Sequence, residues 1–88
     1  LAYEPIWAIG KNKKAASLSY TNESINFIKE YAMKIINVKS NKIITMYGGS
    51  VDRQNCNLFL NSKSIDGIFI GRAALNAQNF IKICKEII

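Results

Sequence analysis

Three short runs of apolar residues divide the chain, at residues 1–4, 42–46 and 65–70. Their length and near-continuous apolarity are typical of strands in a buried parallel sheet. Pro5 ends the first run because it lacks an amide hydrogen and fixes its own φ, which also drives Glu4 into an extended conformation. Glycines end the other two runs. The pattern therefore predicts three strands, the first of which delivers a carboxylate at its exit.

After each of these runs, apolar residues recur at three- and four-residue spacing, the pattern of amphipathic helices. We expect Thr21 to cap the first helix, which ends near Asn37. Asp52 and Asn76 are the expected caps of the second and third helices, and a single helical turn is expected at residues 72–75. The faces predicted to point inward are Ile25, Ile28, Ala32, Ile35 and Ile36 in the first helix, Cys56, Phe59 and Leu60 in the second, and Phe80, Ile81, Cys84, Ile87 and Ile88 in the third.

Strict alternation of strands and helices predicts an α/β fold, with three parallel strands joined by right-handed crossovers. Ligands of such sheets lie beyond the carboxyl ends of the strands. Here those ends carry residues 4–10, 47–50 and 71–74, which hold four of the five glycines. The fifth, Gly67, lies near the start of its strand and is expected to be structural.

Composition places the chain among ordinary globular proteins. Its 88 residues are 49% hydrophobic and 20% charged, which excludes disordered, collagen-like and low-complexity classes and allows one domain at most. Because Leu1 already lies within a predicted strand, we expect a piece of a longer domain. The net charge of +6 predicts attraction to anions, whether nucleic acid, acidic membranes or phosphorylated metabolites.

Other partners are disfavoured by what the sequence lacks. No apolar run approaches the roughly 18 residues that cross a bilayer, and no basic-then-apolar leader opens the sequence. We therefore expect a cytoplasmic protein without a membrane partner. Cys56 and Cys84 lack the spacing of a metal site, so they are expected to be reduced core residues, and no metal is predicted.

Glycine-rich loops at three adjacent strand ends predict an anion pocket. Gly10, Ser50, Gly71 and Arg72 each offer a backbone N–H, and the Ser50 hydroxyl offers a further donor. Separately, such glycines are usually simple turns. Their coincidence on one face favours a bound phosphate.

Three motifs in this chain resemble the triosephosphate isomerase family. They are Ala-Tyr-Glu-Pro-Ile-Trp-Ala-Ile-Gly from residue 2, Tyr-Gly-Gly-Ser-Val from residue 47 and Asp-Gly-Ile-Phe-Ile-Gly-Arg-Ala from residue 66. The resemblance covers residues 1–88 and implies strands six to eight of a (β/α)8 barrel. It also implies a homodimeric, cofactor-free enzyme of glycolysis and gluconeogenesis that interconverts dihydroxyacetone phosphate and glyceraldehyde 3-phosphate.

The resemblance assigns Glu4 as the base that moves a proton between C1 and C2 of the substrate. A glutamate base beneath a closing lid is the mechanism for which this family is itself the standard example. Ile9 and Phe69 would press on that carboxylate from two sides, while Tyr47 and Ser50 would hold the lid shut. The lid residues implied are Pro5, Ile6, Trp7, Ala8, Ile9, Gly10, Lys11, Asn12, Lys13, Lys14 and Ala15.

Two positions depart from the family pattern. Lys11 and Asn12 replace the usual Thr-Gly at the lid tip, and asparagine tolerates the left-handed conformation that a glycine would adopt there. Arg72 replaces the second glycine after the last strand. It weakens phosphate binding if that position needs positive φ or a close approach of the phosphate, or its side chain supplies charge instead.

The chain lacks part of the implied active site. The family's catalytic histidine and lysine belong to earlier strands, and this sequence has no histidine. Because three strands cannot close a barrel of about 250 residues, we expect the isolated chain to be inactive and marginally folded.

Two other functions remain open: another phosphate-binding barrel enzyme, or a non-catalytic basic module that binds anions such as nucleic acid. The nucleic-acid alternative is disfavoured because Phe27, Phe59 and Phe80 lie on helix faces where core packing is expected, and they do not form a stacking platform.

Overall fold

The computed structural model describes residues 1–88, the side chain of residue 40 excepted. Strands and helices alternate from end to end, as predicted. In chain order these are β1 (Ala2–Tyr3), α1 (Leu18–Ile36), β2 (Met46–Gly48), α2 (Cys56–Leu60), β3 (Gly67–Phe69) and α3 (Ala77–Ile87). Short 3₁₀ helices occupy Ile6–Ala8, Ser40–Lys42 and Arg72–Ala74.

The three strands form one parallel sheet in the order β1-β2-β3. The second strand was predicted at residues 42–46 with a break at Tyr47. It lies further along the chain, since the regular ladder begins at Met46 and includes Gly48. The preceding residues still pair irregularly. Met46 N–H donates to the Leu1 carbonyl at 2.7 Å, and the Leu1 ammonium group donates to the Ile44 carbonyl at 2.7 Å.

Helix α1 begins one turn earlier than predicted. Ser17 is its N-cap, in extended conformation, and its hydroxyl accepts the Tyr20 N–H at 3.2 Å. The expected cap Thr21 is instead fully buried within the helix. Leu18 already packs against the core, so the helix begins before Thr21 in the chain. The predicted end at Asn37 is confirmed, with φ at 50° in the left-handed region.

Asn76 was predicted correctly as the cap of α3, whereas the N-cap of α2 is Asn55 and not the expected Asp52, because the Asp52 side chain caps the turn before that helix. The Asp52 carboxylate accepts the Gln54 and Asn55 amides at 2.9 and 3.1 Å in the turn that leads into α2. The Asn76 side chain accepts the Asn79 N–H at 3.1 Å at the start of α3. The predicted single turn after the third strand is the 3₁₀ helix Arg72–Ala74.

The core lies between one face of the sheet and the helices. The Tyr47 ring stacks on Phe59 with centroids 4.1 Å apart. Along the second strand Ile43, Thr45 and Tyr47 are buried, whereas Ile44 is 66% exposed, so the described residues cover only one face of the sheet. The buried core cluster is Ala16, Ile25, Tyr47, Val51, Cys56, Phe59, Ile65 and Ile83.

Several predicted core positions are wrong. Ile83, which was not predicted, is the buried residue of α3, because only the line of that helix facing α2 and β3 is covered among the described residues. Of the three phenylalanines expected in the core, only Phe59 is buried. The predicted inward residues found exposed are Ile35, Ile36, Phe80, Ile81, Ile87 and Ile88, together with Phe27.

Both cysteines are free; Cys56 is buried and Cys84 is half-buried. Within the part of the chain that the structure describes, no helix combines the length and apolarity needed to cross a membrane.

Candidate functional site

The carboxyl ends of the three strands border one cleft of about 310 Å³. The three loops that were predicted to meet on one face do so here. Glu4 and Arg72 are the charged side chains among the residues that line the cleft. The lining residues are Glu4, Ile9, Gly10, Gly48, Gly49, Ser50, Val51, Phe69, Ile70, Gly71, Arg72 and Ala73.

The strand register places Glu4 beside Gly48 on the cleft floor. Tyr3 pairs with Tyr47, so the next residues, Glu4 and Gly48, are neighbours, and Gly48 in turn pairs with Phe69. A Cβ at Gly48 would lie 3.1 Å from Glu4 Cγ and 3.2 Å from Phe69 Cβ. Only glycine therefore leaves room for the carboxylate to lie between its neighbours.

This role of Gly48 was not predicted from the sequence, because the Gly-Gly pair was interpreted as a turn. The order of residues in the two strands nevertheless contained the information needed to find this role. Once β1 and β2 are aligned, the residue opposite a strand-terminal glutamate must be small if the carboxylate is to lie over it.

The segment between β1 and α1 crosses the cleft as a structured loop. Ala8 is fully buried, and its N–H donates to the Pro5 carbonyl at 2.9 Å. The Trp7 ring meets Tyr20 of α1 edge-on, with centroids 5.4 Å apart. The turn at the tip has Asn12 at φ 61°, so the expected left-handed asparagine is present.

Two side chains of the second strand and its loop bind this segment near both ends. The Tyr47 hydroxyl accepts the Ala16 N–H at 2.9 Å and donates to the Gly49 carbonyl at 3.0 Å. The Ser50 hydroxyl donates to the Ala8 carbonyl at 2.5 Å. Burial raises the pKa of Tyr47, which keeps the phenol neutral and able to donate. Both side chains expected to hold the lid thus contact the backbone of this segment, Ser50 at Ala8 and Tyr47 at Ala16, just beyond residues 5–15.

The same contact changes what Ser50 offers to an anion. Because its hydroxyl hydrogen is already donated to Ala8, only its backbone N–H is free for a ligand, contrary to the prediction that both would serve. The loop is held by Asn55, which the sequence analysis did not single out. Its side-chain amide donates to the Ser50 carbonyl at 2.9 Å.

Gly10, Ser50, Gly71 and Arg72, whose backbone amides were predicted to bind an anion, all line the cleft. Outside the helices and strands, the described hydrogen bonds include none donated by the amides of Gly10, Ser50, Gly71 or Arg72. A Cβ built on Gly71 would meet no heavy atom within 4 Å, so the space before it is open. This arrangement has the donors that a bound phosphate requires.

Arg72 lies in the helical turn after β3 and is not among the residues with positive φ, which are Asn12, Asn37 and Ser50 beside Gly10 and Gly49. The backbone here does not require glycine. The alternative in which Arg72 handicaps the site through its backbone conformation is therefore excluded.

At the other end of the sheet, one carboxylate joins β2 to β3. Asp66 Oδ2 accepts the Thr45 N–H at 2.7 Å and contacts the Thr45 hydroxyl at 3.0 Å, while that hydroxyl donates to the Ser64 carbonyl at 2.6 Å. The Thr45 amide holds the pKa of Asp66 below its usual value. This contact fixes the register that aligns the loops of the cleft.

Comparison with known proteins gives a consistent result. A sequence model of the family described as "Triosephosphate isomerase" matches residues 1–87. The triosephosphate isomerase of Wigglesworthia glossinidia brevipalpis is 42% identical over 87 residues, which are 99% of this chain and 34% of that protein. The L-erythrulose-1-phosphate isomerase of Rhizobium meliloti (strain 1021) is 39% identical over 87 residues, 99% of this chain and 33% of that protein.

Solved structures agree with the sequence comparison. The crystal structure of triosephosphate isomerase from Bartonella henselae superposes with a TM-score of 0.77 at 32% identity, covering 98% of this chain and 33% of that one. The chain thus spans about a third of the length of the curated relatives it matches.

Proposed function

The chain belongs to the triosephosphate isomerase family, and we propose from this that residues 1–88 are the carboxyl-terminal part of a (β/α)8-barrel isomerase. They supply strands six to eight and their helices. The full-length enzyme interconverts dihydroxyacetone phosphate and D-glyceraldehyde 3-phosphate in glycolysis and gluconeogenesis, without a cofactor. The observation that carries this proposal is that Glu4, Gly48 and Phe69 lie side by side across the three neighbouring strands. This arrangement places one carboxylate in a cleft bordered by free backbone amides.

In this reaction Glu4 acts as the general base. It removes a proton from C1 of dihydroxyacetone phosphate; the electron pair forms the C1–C2 double bond and the C2 carbonyl electrons move to O2, which gives an enediolate. The same carboxyl group then returns a proton to C2, while the hydroxyl proton on O1 passes to O2 through groups of the rest of the barrel, so that C1 becomes the aldehyde. A base at this position contributes about 10²- to 10⁴-fold to the rate.

The phosphate of the substrate binds to the amides of Gly10, Ser50, Gly71 and Arg72. Holding the phosphate there fixes the distance from the reacting carbons to Glu4, so the reaction proceeds from an aligned geometry. Two observations support this binding site. The space in front of Gly71 is open, and outside the helices and strands these amides donate no described hydrogen bond.

The loop of residues 5–15 acts as a lid that excludes water. With the lid closed, Ile9 and Phe69 flank the carboxylate; both line the cleft and are about half exposed without a ligand. Removing water protects the enediolate from side reactions such as loss of its phosphate. The Tyr47 and Ser50 hydrogen bonds to the loop backbone stabilise the closed position.

The remaining catalytic groups, a histidine and a lysine, come from the rest of the barrel, so the 88-residue chain alone is inactive. The full-length enzyme is a cytoplasmic homodimer. Its partners are small sugar phosphates, and neither nucleic acid nor a membrane takes part. Phe69 is the one aromatic side chain among the described residues that line the cleft, so no set of adjacent aromatic rings is available there for stacking on bases.

A second candidate is isomerisation of a longer sugar phosphate. The relative from Rhizobium meliloti, an L-erythrulose-1-phosphate isomerase by name, is nearly as similar as the one from Wigglesworthia glossinidia brevipalpis. Both reactions need the same base and the same phosphate site. They differ in the sugar carbons, which the upstream strands contact.

Turnover by the full-length enzyme tests both proposals. Purified enzyme is assayed with D-glyceraldehyde 3-phosphate and with L-erythrulose 1-phosphate at matched concentrations. We expect kcat/KM to be at least tenfold higher for the triose phosphate. A preference for the four-carbon substrate would assign the second function, and turnover of neither would refute both.

A further inference from the structure

Arg72 stands out because it brings a positive charge to a cleft whose other charged lining residue is Glu4. A triose phosphate carries close to two negative charges at neutral pH, so the carboxylate repels it. Without Arg72 the side chains lining this part of the cleft would have a net negative charge. The guanidinium neutralises that charge.

Comparison of the two arginines shows which one is available for a ligand. Arg53 is held by Glu86, with Nε 2.8 Å from Oε1. Arg72 is exposed and makes no hydrogen bond or ion pair with any residue that the structure describes. Its five N–H donors are therefore free for an anion.

The space beside Arg72 fits such an anion. Gly71 has no neighbouring atom within 4 Å of a built Cβ, and the Ser50 amide borders the same cleft. The turn at residues 72–74 holds Arg72 with an ordinary backbone conformation, so its side chain costs no strain. A planar guanidinium binds two phosphate oxygens at once, which a backbone amide does not.

We propose that the Arg72 side chain is a phosphate-binding and specificity-determining residue of this enzyme, in addition to the backbone amides. It pairs with the phosphate oxygens of the sugar-phosphate substrate and offsets the repulsion by Glu4. The enzyme therefore selects doubly charged phosphates over singly charged ones. This inference rests on the proposed isomerase function.

Kinetics of the full-length enzyme test the proposal. For Arg72→Gln we expect KM for glyceraldehyde 3-phosphate and the competitive inhibition constant of inorganic phosphate to rise together, by about five- to tenfold, with kcat within twofold. Arg72→Lys keeps the charge but loses the contact with two phosphate oxygens. Its KM and inhibition constant should therefore lie between those of the parent and those of Arg72→Gln. Arg53→Gln is the matched control, because it removes an arginine outside the cleft, and it should leave all three constants unchanged.

Ionic strength provides a readout specific to charge. The parent enzyme's KM should rise more steeply with added sodium chloride than that of Arg72→Gln, since screening acts on the pair that the variant lacks. Unchanged KM and inhibition constants in Arg72→Gln would overturn the proposal. So would a fall in kcat with unchanged phosphate inhibition, which would assign Arg72 a structural role.

A binding measurement separates failure of this proposal from failure of the proposed function. Inorganic phosphate should raise the Tm of the full-length parent and of Arg53→Gln, but raise that of Arg72→Gln at least threefold less. If the parent shows no isomerase activity yet this difference is seen, the arginine site stands and the reaction is wrong. If the parent is active and phosphate raises all three Tm values equally, the arginine site is wrong.

Discussion

Gly48 shows how one missing side chain positions a reactive group. The register places it between Glu4 and Phe69, and a Cβ there would approach both to 3.2 Å or less. Neither neighbour can easily move away, because Phe69 is in the paired strand and Glu4 is fixed by Pro5 behind it. The carboxylate is therefore positioned by backbone contacts as well as by its own chain.

Substitution of Gly48 tests this positioning. Gly48→Ala should displace the Glu4 carboxyl group and lower kcat of the full-length enzyme about 10²-fold with little change in KM, because small displacements of a base are costly. The matched control is Gly67→Ala in β3, where the added Cβ meets the flexible end of Met46 at 3.3 Å. That variant should retain most of its activity. Equal kcat values for the two variants would contradict the assigned role.

Conformations of single residues were predictable from the sequence where they depend on that residue's own backbone preference. Asn12 in the left-handed region follows from the side chain's own preference. Gly48 and Asn55 were missed because their roles depend on strand register and loop packing, which no local pattern encodes.

The loop between β1 and α1 is held at several points along its length. Ser50 binds its first half at Ala8, Tyr47 binds Ala16 just beyond its end, and Trp7 packs on Tyr20. Two of these contacts come from β2 and the loop that follows it, which also carries the Ser50 amide of the proposed phosphate site. If residues 5–15 are the lid proposed above, we expect lid closure and phosphate binding to be coupled through residues 47–50.

Removal of the Tyr47 hydroxyl tests this coupling. Tyr47→Phe leaves the Ala16 N–H and the Gly49 carbonyl without their partner, so the free energy of unfolding should fall by about 1–3 kcal/mol. The less stable lid should release more enediolate to solvent. We expect the ratio of inorganic phosphate released to glyceraldehyde 3-phosphate formed to rise in the variant; an unchanged ratio would show that Tyr47 does not hold the lid.

The contact between Asp66 and Thr45 predicts a pH dependence. The pKa of Asp66 is lowered in the folded protein, so its contribution to stability is complete above the unfolded value of about 3.9 and is lost as pH falls through the lower folded value. Asp66→Asn should lower Tm at pH 7, and the difference from the parent should shrink below about pH 4. A Tm difference that is constant down to pH 2 would show that the carboxylate charge is not involved.

Helix ends were predictable where one exposed residue caps the helix, as at Asn37 and Asn76. The cap of α2 was misplaced from Asn55 to Asp52, because the Asp52 side chain caps the turn before that helix. The start of α1 was misplaced because Ser17 and Thr21 are both good caps, and the packing of Leu18 decides between them. The inward face of α3 was misplaced for a related reason: its apolar residues form one broad face, and packing against α2 buries only the edge of that face, at Ile83.

The molecule as a whole is a sheet with one face covered. Ile44 is 66% exposed and Phe69 46% exposed, and the first helix also carries exposed Phe27 and Tyr31. In a closed barrel such faces would be covered by the remaining strands and helices. The alternating order of elements made the fold class predictable from sequence, whereas the extent of these open faces depends on how much of the barrel is present.

The open faces predict the behaviour of the 88-residue chain alone. Its exposed apolar surface should bind 8-anilinonaphthalene-1-sulfonate, and its thermal unfolding should be broad, because a half-covered sheet is marginally stable. Isomerase activity should be undetectable, since the cleft holds one catalytic carboxylate without its partners. A sharp cooperative transition together with measurable turnover would contradict this account.

The most direct test of the central claim follows the proton that Glu4 moves. Full-length enzyme and its Glu4→Gln variant are incubated with dihydroxyacetone phosphate in D₂O, and deuterium incorporation at C1 is followed by NMR. We predict rapid incorporation by the parent and a rate at least about 10²-fold lower for the variant, with inorganic phosphate still raising the Tm of both. Equal incorporation rates would show that another group is the base and would contradict the function proposed for this cleft.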